Sequence, residues 1–356
     1  MIRALALLAL TTPAWADPLR VATYNPGLSR DGPGLLLAAL EKGTDPQIEA
    51  ALAVIAAADA DVILLTELDW DYDARALNAL TARLAAEGAD YPHVFAPQPN
   101  TGLATGLDLD GNTRLAEPRD AQGYGSFTGQ GGMALLSRFP IGPTRDLSGL
   151  LWRDLPGNLS QDPPDIAAIQ RLSTSGHWIV PVETPAGTLD LLAYAATPPV
   201  FDGPEDRNGR RNHDETALWL RYLDGQLTEK PSENPVIVLG TPNLDPVDGD
   251  GQRAAITALL ANPRLQDPRP TSPGGAAAPQ TGRNAAHQGD PALDTTLWPA
   301  EAADDPGNLR ADMILPDARL TVTASGVMWP TPDDPLAATI AAASDHRLVW
   351  VELTPR

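Results

Sequence analysis

Residues 236–243 read Val-Ile-Val-Leu-Gly-Thr-Pro-Asn. Four apolar residues in a row, three of them β-branched, predict a strand from Val236 to Leu239 buried on both faces. Gly240 and Pro242 punctuate it, which leaves Asn243 just beyond its end. Val62 to Thr66 is a second continuous apolar run, and it leads into Glu67. Two such runs, each ending on a residue with chemistry to offer, set the reading of the rest.

Working outward, Arg20 to Tyr24, Met133 to Ser137, Leu189 to Tyr194, Met313 to Leu315 and Leu348 to Leu353 also read as strands. Asp45 to Ala58 is a helix, with Ile48, Leu52 and Ile55 on one face. Asp73 to Ala86 and His213 to Leu227 are further helices, the last with Leu218, Tyr222 and Leu227 on one side. Buried strands alternating with helices imply sheet layers with helices outside. Periodicity fits a doubly wound α/β sheet equally well. No internal repeat is present. Ala96 to Gln130 and Pro263 to Asn308 are rich in Gly, Asn, Asp, Ala and Pro and read as insertions in one domain spanning 17–356.

The first residues, MIRALALLALTTPAWA, combine Arg3, an apolar run from Ala4 to Leu10 and the small-x-small triplet Ala14-Trp15-Ala16. That is the pattern of a signal peptide, residues 1–16, with cleavage before Asp17 and export to the periplasm or outside the cell. No later segment has the length of apolar sequence that a membrane-spanning helix needs. The chain has no cysteine, which excludes disulfides, thiolate metal sites and cysteine nucleophiles. Its net charge of −21 disfavours tight binding of a nucleic-acid polyanion and favours a small phosphoester, or one bridged by a cation. No serine nucleophile elbow or phosphate-binding loop is present. Two acidic loops, around Asp108-Leu-Asp-Gly-Asn112 and Asp245 to Gly251, are the basis for an alternative reading as an extracellular calcium-binding interaction module, though neither has the spacing of a helix-loop-helix calcium loop.

Six segments place chemically capable residues at strand ends: TYN ends at Asn25, VILLTE at Glu67, DLLAY at Tyr194 and VIVLGTPN at Asn243, while RADMIL holds Asp312 and SDH holds Asp345 and His346. Loops at strand ends are where a layered fold gathers side chains from distant sequence.

Taken in order, TYN, TELD, GTPN and SDH resemble the motifs of the endonuclease/exonuclease/phosphatase superfamily, over Arg20 to Leu353. Residues 200–212 are similar to a bacterial exported subgroup. The resemblance implies a four-layer α/β/β/α sandwich with two mostly antiparallel packed sheets. It also implies a metal-dependent phosphoric ester hydrolase using Mg²⁺ or Mn²⁺, hard ions that prefer oxygen ligands. Glu67, Asn25 and Asp345 would hold the metal. His346 would contact phosphate or move a proton, Asp312 would fix its tautomer, and Asn243 would donate to a phosphoryl oxygen. Tyr194 takes the place where some members have Tyr; others have His, which falls on Ala195 in a different register. Arg207, Arg210 and Arg211 are candidate substrate-binding residues.

The family pattern Gly-Asp-x-Asn reads Gly240-Thr241-Pro242-Asn243 here. A threonine hydroxyl is not a useful base near neutral pH. Three readings follow: a silent or weakened member that binds metal or phosphorylated ligand, substitution by Asp245 or Asp248, or a site reshaped for another reaction.

Overall fold

The computed structural model describes residues 18–302 and 304–355. The signal segment read at 1–16 lies outside the described residues. The strands are β1 (Leu19–Tyr24), β2 (Val62–Leu68), β3 (His93–Phe95), β4 (Gly132–Ser137), β5 (Arg145–Asp146), β6 (Gly176–Thr184), β7 (Gly187–Ala195), β8 (Val236–Thr241), β9 (Met313–Pro316), β10 (Leu320–Val327) and β11 (Val349–Pro355). They form a six-stranded sheet, β10-β11-β1-β2-β4-β3, and a five-stranded sheet, β5-β6-β7-β8-β9. Only β1–β2 and β7–β8 pair in parallel; the other neighbours are antiparallel.

Strand parity builds four layers. Val21, Val62, Leu64 and Leu135 point away from the helices and meet Val180, Leu191, Ala193, Ile237, Leu239 and Ile314 of the other sheet. The alternate residues Ala22, Tyr24, Ile63, Leu65 and Leu136 pack under the helices α1 (Leu35–Lys42), α2 (Pro46–Ala58) and α3 (Arg75–Ala86). On the far side, Ile179, Leu192, Tyr194, Val236, Val238 and Leu315 pack with Leu218 and Tyr222 of the long helix 207–223. Both faces of the central strands are therefore covered, which is why their sequences read as unbroken apolar runs. This is the four-layer sandwich, and the doubly wound alternative is set aside. No helix among the described residues is long and apolar enough to cross a membrane.

The short helix α4 (Pro164–Ala167) precedes β6, and α5 (Arg207–Leu223) follows β7. Helix α5 starts six residues before the expected His213, because its first turns bury polar side chains, Arg211 and Asn212, and no apolar stripe marks them. Helices α6 (Ala254–Leu260), α7 (Pro273–Ala277) and α8 (Ala337–Ala343) complete the chain. Residues 96–130 contain only a short 3-10 turn and isolated bridges, and the described residues of 263–308 contain only short helices, turns and isolated bridges at Leu265 and Thr296.

His177 of β6 is fully buried under α5. Its Nε2–H donates to the Glu215 carbonyl at 2.8 Å, and Nδ1 accepts from the Ser173 hydroxyl at 2.6 Å. Burial pulls its pKa down to about 4; the bond to the Glu215 carbonyl raises it and the nearby Arg211 lowers it further. An unfolded histidine titrates near 6.5, so between the two values the unfolded chain binds more protons. Stability conferred by the neutral ring is full above about pH 6.5 and is lost as pH falls toward 4, by up to about 3 kcal/mol. Denaturant unfolding of wild type and His177→Gln across this window is expected to show a shallower acid-side decline in the variant; equal slopes would remove His177 from the account.

Candidate active site

One end of the sandwich gathers the chemistry. The C-terminal ends of β1, β2, β7 and β8 lie there, together with the N-terminal ends of their antiparallel neighbours β9 and β11. The two sheets touch at this end through hydroxyls: Thr66 Oγ1 and Thr241 Oγ1 are 2.9 Å apart. Parity explains the contact. Thr66 continues the inward series Val62 and Leu64, and Thr241 continues Ile237 and Leu239.

Above these hydroxyls opens a cleft of about 600 Å³ lined by Asn25, Arg30, Asp45, Glu67, Trp298, Asp345 and His346, among others. The three residues expected to hold metal, Asn25, Glu67 and Asp345, therefore share one cleft with His346. Loop contacts fix its walls. Gln47 Nε2 donates to the carbonyls of Pro26 and Ala343, tying the Asn25 loop to the SDH loop. Ser344 Oγ donates to the Asn25 carbonyl at 2.7 Å and accepts from His346 N–H at 3.0 Å.

Glu67 stands on a β-bulge, where the register of β2 against β4 shifts between Leu65 and Leu68. Its φ of 52° is left-handed, a conformation that carries strain for a residue with a Cβ and one that clusters at functional sites. Asp69 holds the bulge from below: Oδ1 accepts from Gly131 N–H at 3.0 Å and Oδ2 from Arg30 N–H at 2.9 Å. Glu67 is open to solvent through the cleft mouth and hemmed in by protein elsewhere. Burial pushes its carboxyl up to about 7, with His346 drawing it down and Asp69 pushing it up; water in the cleft offsets part of that rise.

Gly131 is required beside it. Its φ is 59°, and a Cβ there would sit 2.6 Å from Glu67 Oε2. Gly131→Ala is expected to displace the Glu67 carboxylate and lower turnover at least tenfold, while the left-handed backbone costs about 1 kcal/mol of stability. Steady-state kinetics beside thermal unfolding checks this, and unchanged turnover would count against Glu67 as the central ligand.

His346 is 8% exposed and its Nδ1 is 2.8 Å from Asp312 Oδ2. Asp312 is 1% exposed and accepts from Thr241 Oγ1 at 2.7 Å and Thr295 Oγ1 at 2.9 Å. An imidazole facing a carboxylate carries its proton on the facing nitrogen, so Nδ1 is the donor and Nε2 keeps its lone pair. Trp298 stands edge-on to the imidazole, with ring centres 5.3 Å apart.

Other expected residues lie elsewhere. Tyr194 has the wrong parity for the site: it faces α5, its hydroxyl 3.4 Å from Thr216 Oγ1 and its ring against His177 and Trp219. Ala195 takes the inward position beside Thr241 and offers no polar group. Asn243 does not line the cleft; its Nδ2 donates to the Ala196 carbonyl at 2.8 Å and ties the ends of β7 and β8. Arg211 is buried and bonds to the carbonyls of Leu172, Gln122, Arg171 and Ser173. Arg207 pairs with Asp162 and Gln170, and Arg210 with the Glu205 carbonyl. These three guanidiniums staple loops. The arginine that does line the cleft is Arg30, which its sequence neighbourhood did not single out.

Neither Asp245 nor Asp248 stands in for the missing carboxylate. Asp245 accepts the backbone N–H of Val247, Asp248 and Arg310, Asp248 accepts those of Gln288 and Gly289, and Asp245 lines a different cavity. Asp108, Asp110 and Asp120 bring ligand atoms within 4.8 Å of one another. Asp108 and Asp120 already accept backbone N–H groups of their own loop, from Gly111, Thr113, Leu109 and Glu117, which accounts for the cluster as a loop organiser.

A family model described as the Endonuclease/Exonuclease/phosphatase family matches residues 39–346. The chain belongs to this family. Its members are hydrolases of phosphoester bonds. Among solved structures, an endonuclease/exonuclease/phosphatase from Beutenbergia cavernae DSM 12333 is 19% identical with a TM-score of 0.55, over 95% of this chain and 72% of that one. A family protein from Leptotrichia buccalis C-1013-b is 13% identical with a TM-score of 0.51, over 94% of this chain and 99% of that one. Both are likenesses of fold. Sphingomyelinase C from Streptomyces griseocarneus is 17% identical with a TM-score of 0.49, over 94% of this chain and 99% of that one. No curated protein matches the chain by sequence.

Proposed function

We propose that this family member is a divalent-metal-dependent phosphoric ester hydrolase acting on small phosphoesters. The observation that carries the reading is the buried Asp312–His346 pair, which opens onto the same cleft as Asn25, Glu67 and Asp345. The donor set fits a hard cation. All three candidate ligands offer oxygen, and the Glu67 carboxylate makes no hydrogen bond among the described residues and faces the cleft. Asn25 Oδ1 accepts from Gly27 N–H at 3.0 Å and keeps a second lone pair. Mg²⁺ or Mn²⁺ held there would neutralise charge on the phosphoryl oxygens.

His346 Nε2 takes the proton of the attacking water, and Asp312 stabilises the imidazolium that results. Arg30 supplies positive charge at the cleft wall, and Trp298 bounds the space beside the imidazole. With Asp45, Glu67 and Asp345 around one arginine, the cleft suits a compact phosphoester better than an extended polyanion. Thr241 favours a second reading, a silent member that binds metal or phosphorylated ligand without turnover.

Assays with bis-p-nitrophenyl phosphate and p-nitrophenyl phosphate separate the two. Turnover that needs Mg²⁺ or Mn²⁺ and is abolished by a chelator supports the hydrolase. Metal binding by calorimetry without turnover of either substrate supports the silent reading. We also propose export to the periplasm or beyond, on the N-terminal pattern alone; cell fractionation with an N-terminus at Asp17 is the expected result, and a cytoplasmic chain retaining Met1 would refute it.

A further inference from the structure

We propose that Thr241 is a positioning residue: where the family pattern has a carboxylate, this chain uses a hydroxyl donor that locks Asp312 and, through it, His346. The proposal rests on the hydrolase reading above. A threonine hydroxyl has one proton. Thr241 is 2.7 Å from Asp312 Oδ1, and an ionised carboxylate only accepts, so the proton of Thr241 goes to Asp312. Thr66 Oγ1, 2.9 Å from the same Thr241 oxygen, must then be the donor in that contact. The chain of bonds runs one way, Thr66 to Thr241 to Asp312, and joins the two sheets.

The other carboxylate oxygen is equally fixed. Asp312 Oδ2 accepts from Thr295 Oγ1 at 2.9 Å and from His346 Nδ1 at 2.8 Å. Thr295 Oγ1 in turn accepts the N–H groups of Ala311 and Asp312, both at 3.0 Å, so its own proton has one direction left. Thr66, Thr241, Thr295 and Asp312 are all at most 2% exposed, so water does not compete for these bonds. The result is a carboxylate held by three side-chain donors, one of which is His346 itself. Losing the Thr241 donor frees Oδ1 and lets the carboxylate rotate away from Nδ1.

The test uses the full chain with Mn²⁺ and bis-p-nitrophenyl phosphate. Thr241→Val keeps the shape and removes the donor; kcat is expected to fall about 10- to 100-fold, the equivalent of one charge-assisted hydrogen bond, with KM within about twofold. Thr241→Ser restores most of kcat. Thr66→Val, which removes the upstream donor without touching Asp312, is expected to lower kcat by about severalfold. In the metal-free protein, proton NMR is expected to show a sharp downfield Nδ1–H resonance of His346 that broadens in Thr241→Val and returns in Thr241→Ser. Wild-type kcat in Thr241→Val, an unchanged resonance, or turnover above wild type in Thr241→Asp would each overturn the proposal. Absence of turnover by the wild type would sink the hydrolase reading instead, and the resonance would then decide the positioning role by itself.

Discussion

Replacing Glu67 with Gln is expected to cut metal-dependent phosphoester hydrolysis about a thousandfold while the fold persists. Glutamine keeps the length of the side chain and one oxygen, so the loss isolates the charge. That charge sits at the floor of the cleft, beside Asp69 and opposite His346. Glu67 is exposed at the cleft mouth, so water tempers the desolvation and the repulsion from Asp69 that raise its carboxyl. With Asn25 and Asp345 lining the same cleft, a cation bound there would relieve that repulsion. Two results should therefore diverge. Catalysis falls, and the metal-free variant melts at or above the wild-type temperature at neutral pH. Mn²⁺ should raise the melting temperature of the wild type and leave the variant nearly unmoved, because a ligand that binds only the folded state stabilises it. Retained turnover in Glu67→Gln would remove it as the principal ligand.

Asp312 carries the second large effect, and its two nearest substitutions separate chemistry from structure. Asp312→Asn preserves volume. Its amide oxygen accepts from Thr295 and His346 in place of Oδ2, and its NH₂ donates to Thr241, which reverses the direction of the threonine bonds without breaking them. What is lost is the negative charge that stabilises a protonated imidazole, so kcat is expected to fall about a thousandfold with little change in stability. Asp312→Ala leaves the hydroxyls of Thr241 and Thr295 and the Nδ1–H of His346 without a partner in a dry interior. Unsatisfied buried groups cost about 1–3 kcal/mol each, so the Ala variant is expected to lose several kcal/mol of stability as well. Urea unfolding of both variants beside kinetics distinguishes the cases, and full activity in Asp312→Asn would remove the pair from the mechanism.

The sheets were legible wherever burial on both faces wrote itself into the sequence, as in Val62–Thr66 and Val236–Leu239. β3, β5, β6 and β10 were not read, the first two because they are only three and two residues long. β6 carries Pro181, and β10 alternates polar residues along one side of the sheet edge, so neither forms an apolar run. The start of α5 was hidden for the opposite reason, since polar Arg211 and Asn212 occupy its buried face. At the candidate site, Glu67, Asp312 and His346 were marked by their place at strand ends, and the family resemblance supplied their expected roles. Tyr194 did not come to the cleft, and parity held the signal: it alternates with Ala193 and Ala195, which face the other sheet. Thr295, Trp298 and Arg30 carry no motif, and Thr66 lies within TELD without having been singled out, because their roles arise from contacts between segments tens to hundreds of residues apart.

The position of β11 has a consequence for timing. Residues 349–355 do not sit at an edge; they are inserted between β10 and β1, pairing Leu353 with Leu19 and Val349 with Thr23. His346 and Asp345 immediately precede that strand. During synthesis, Asn25 and Glu67 emerge more than 270 residues ahead of them, and β10 cannot join β1-β2-β4-β3 until β11 arrives. Such non-local pairings form late in folding. The cleft is thus assembled last, in the same step that joins β10 to the rest of the sheet, so a nascent or partly threaded chain carries Asn25 and Glu67 apart from Asp345 and His346.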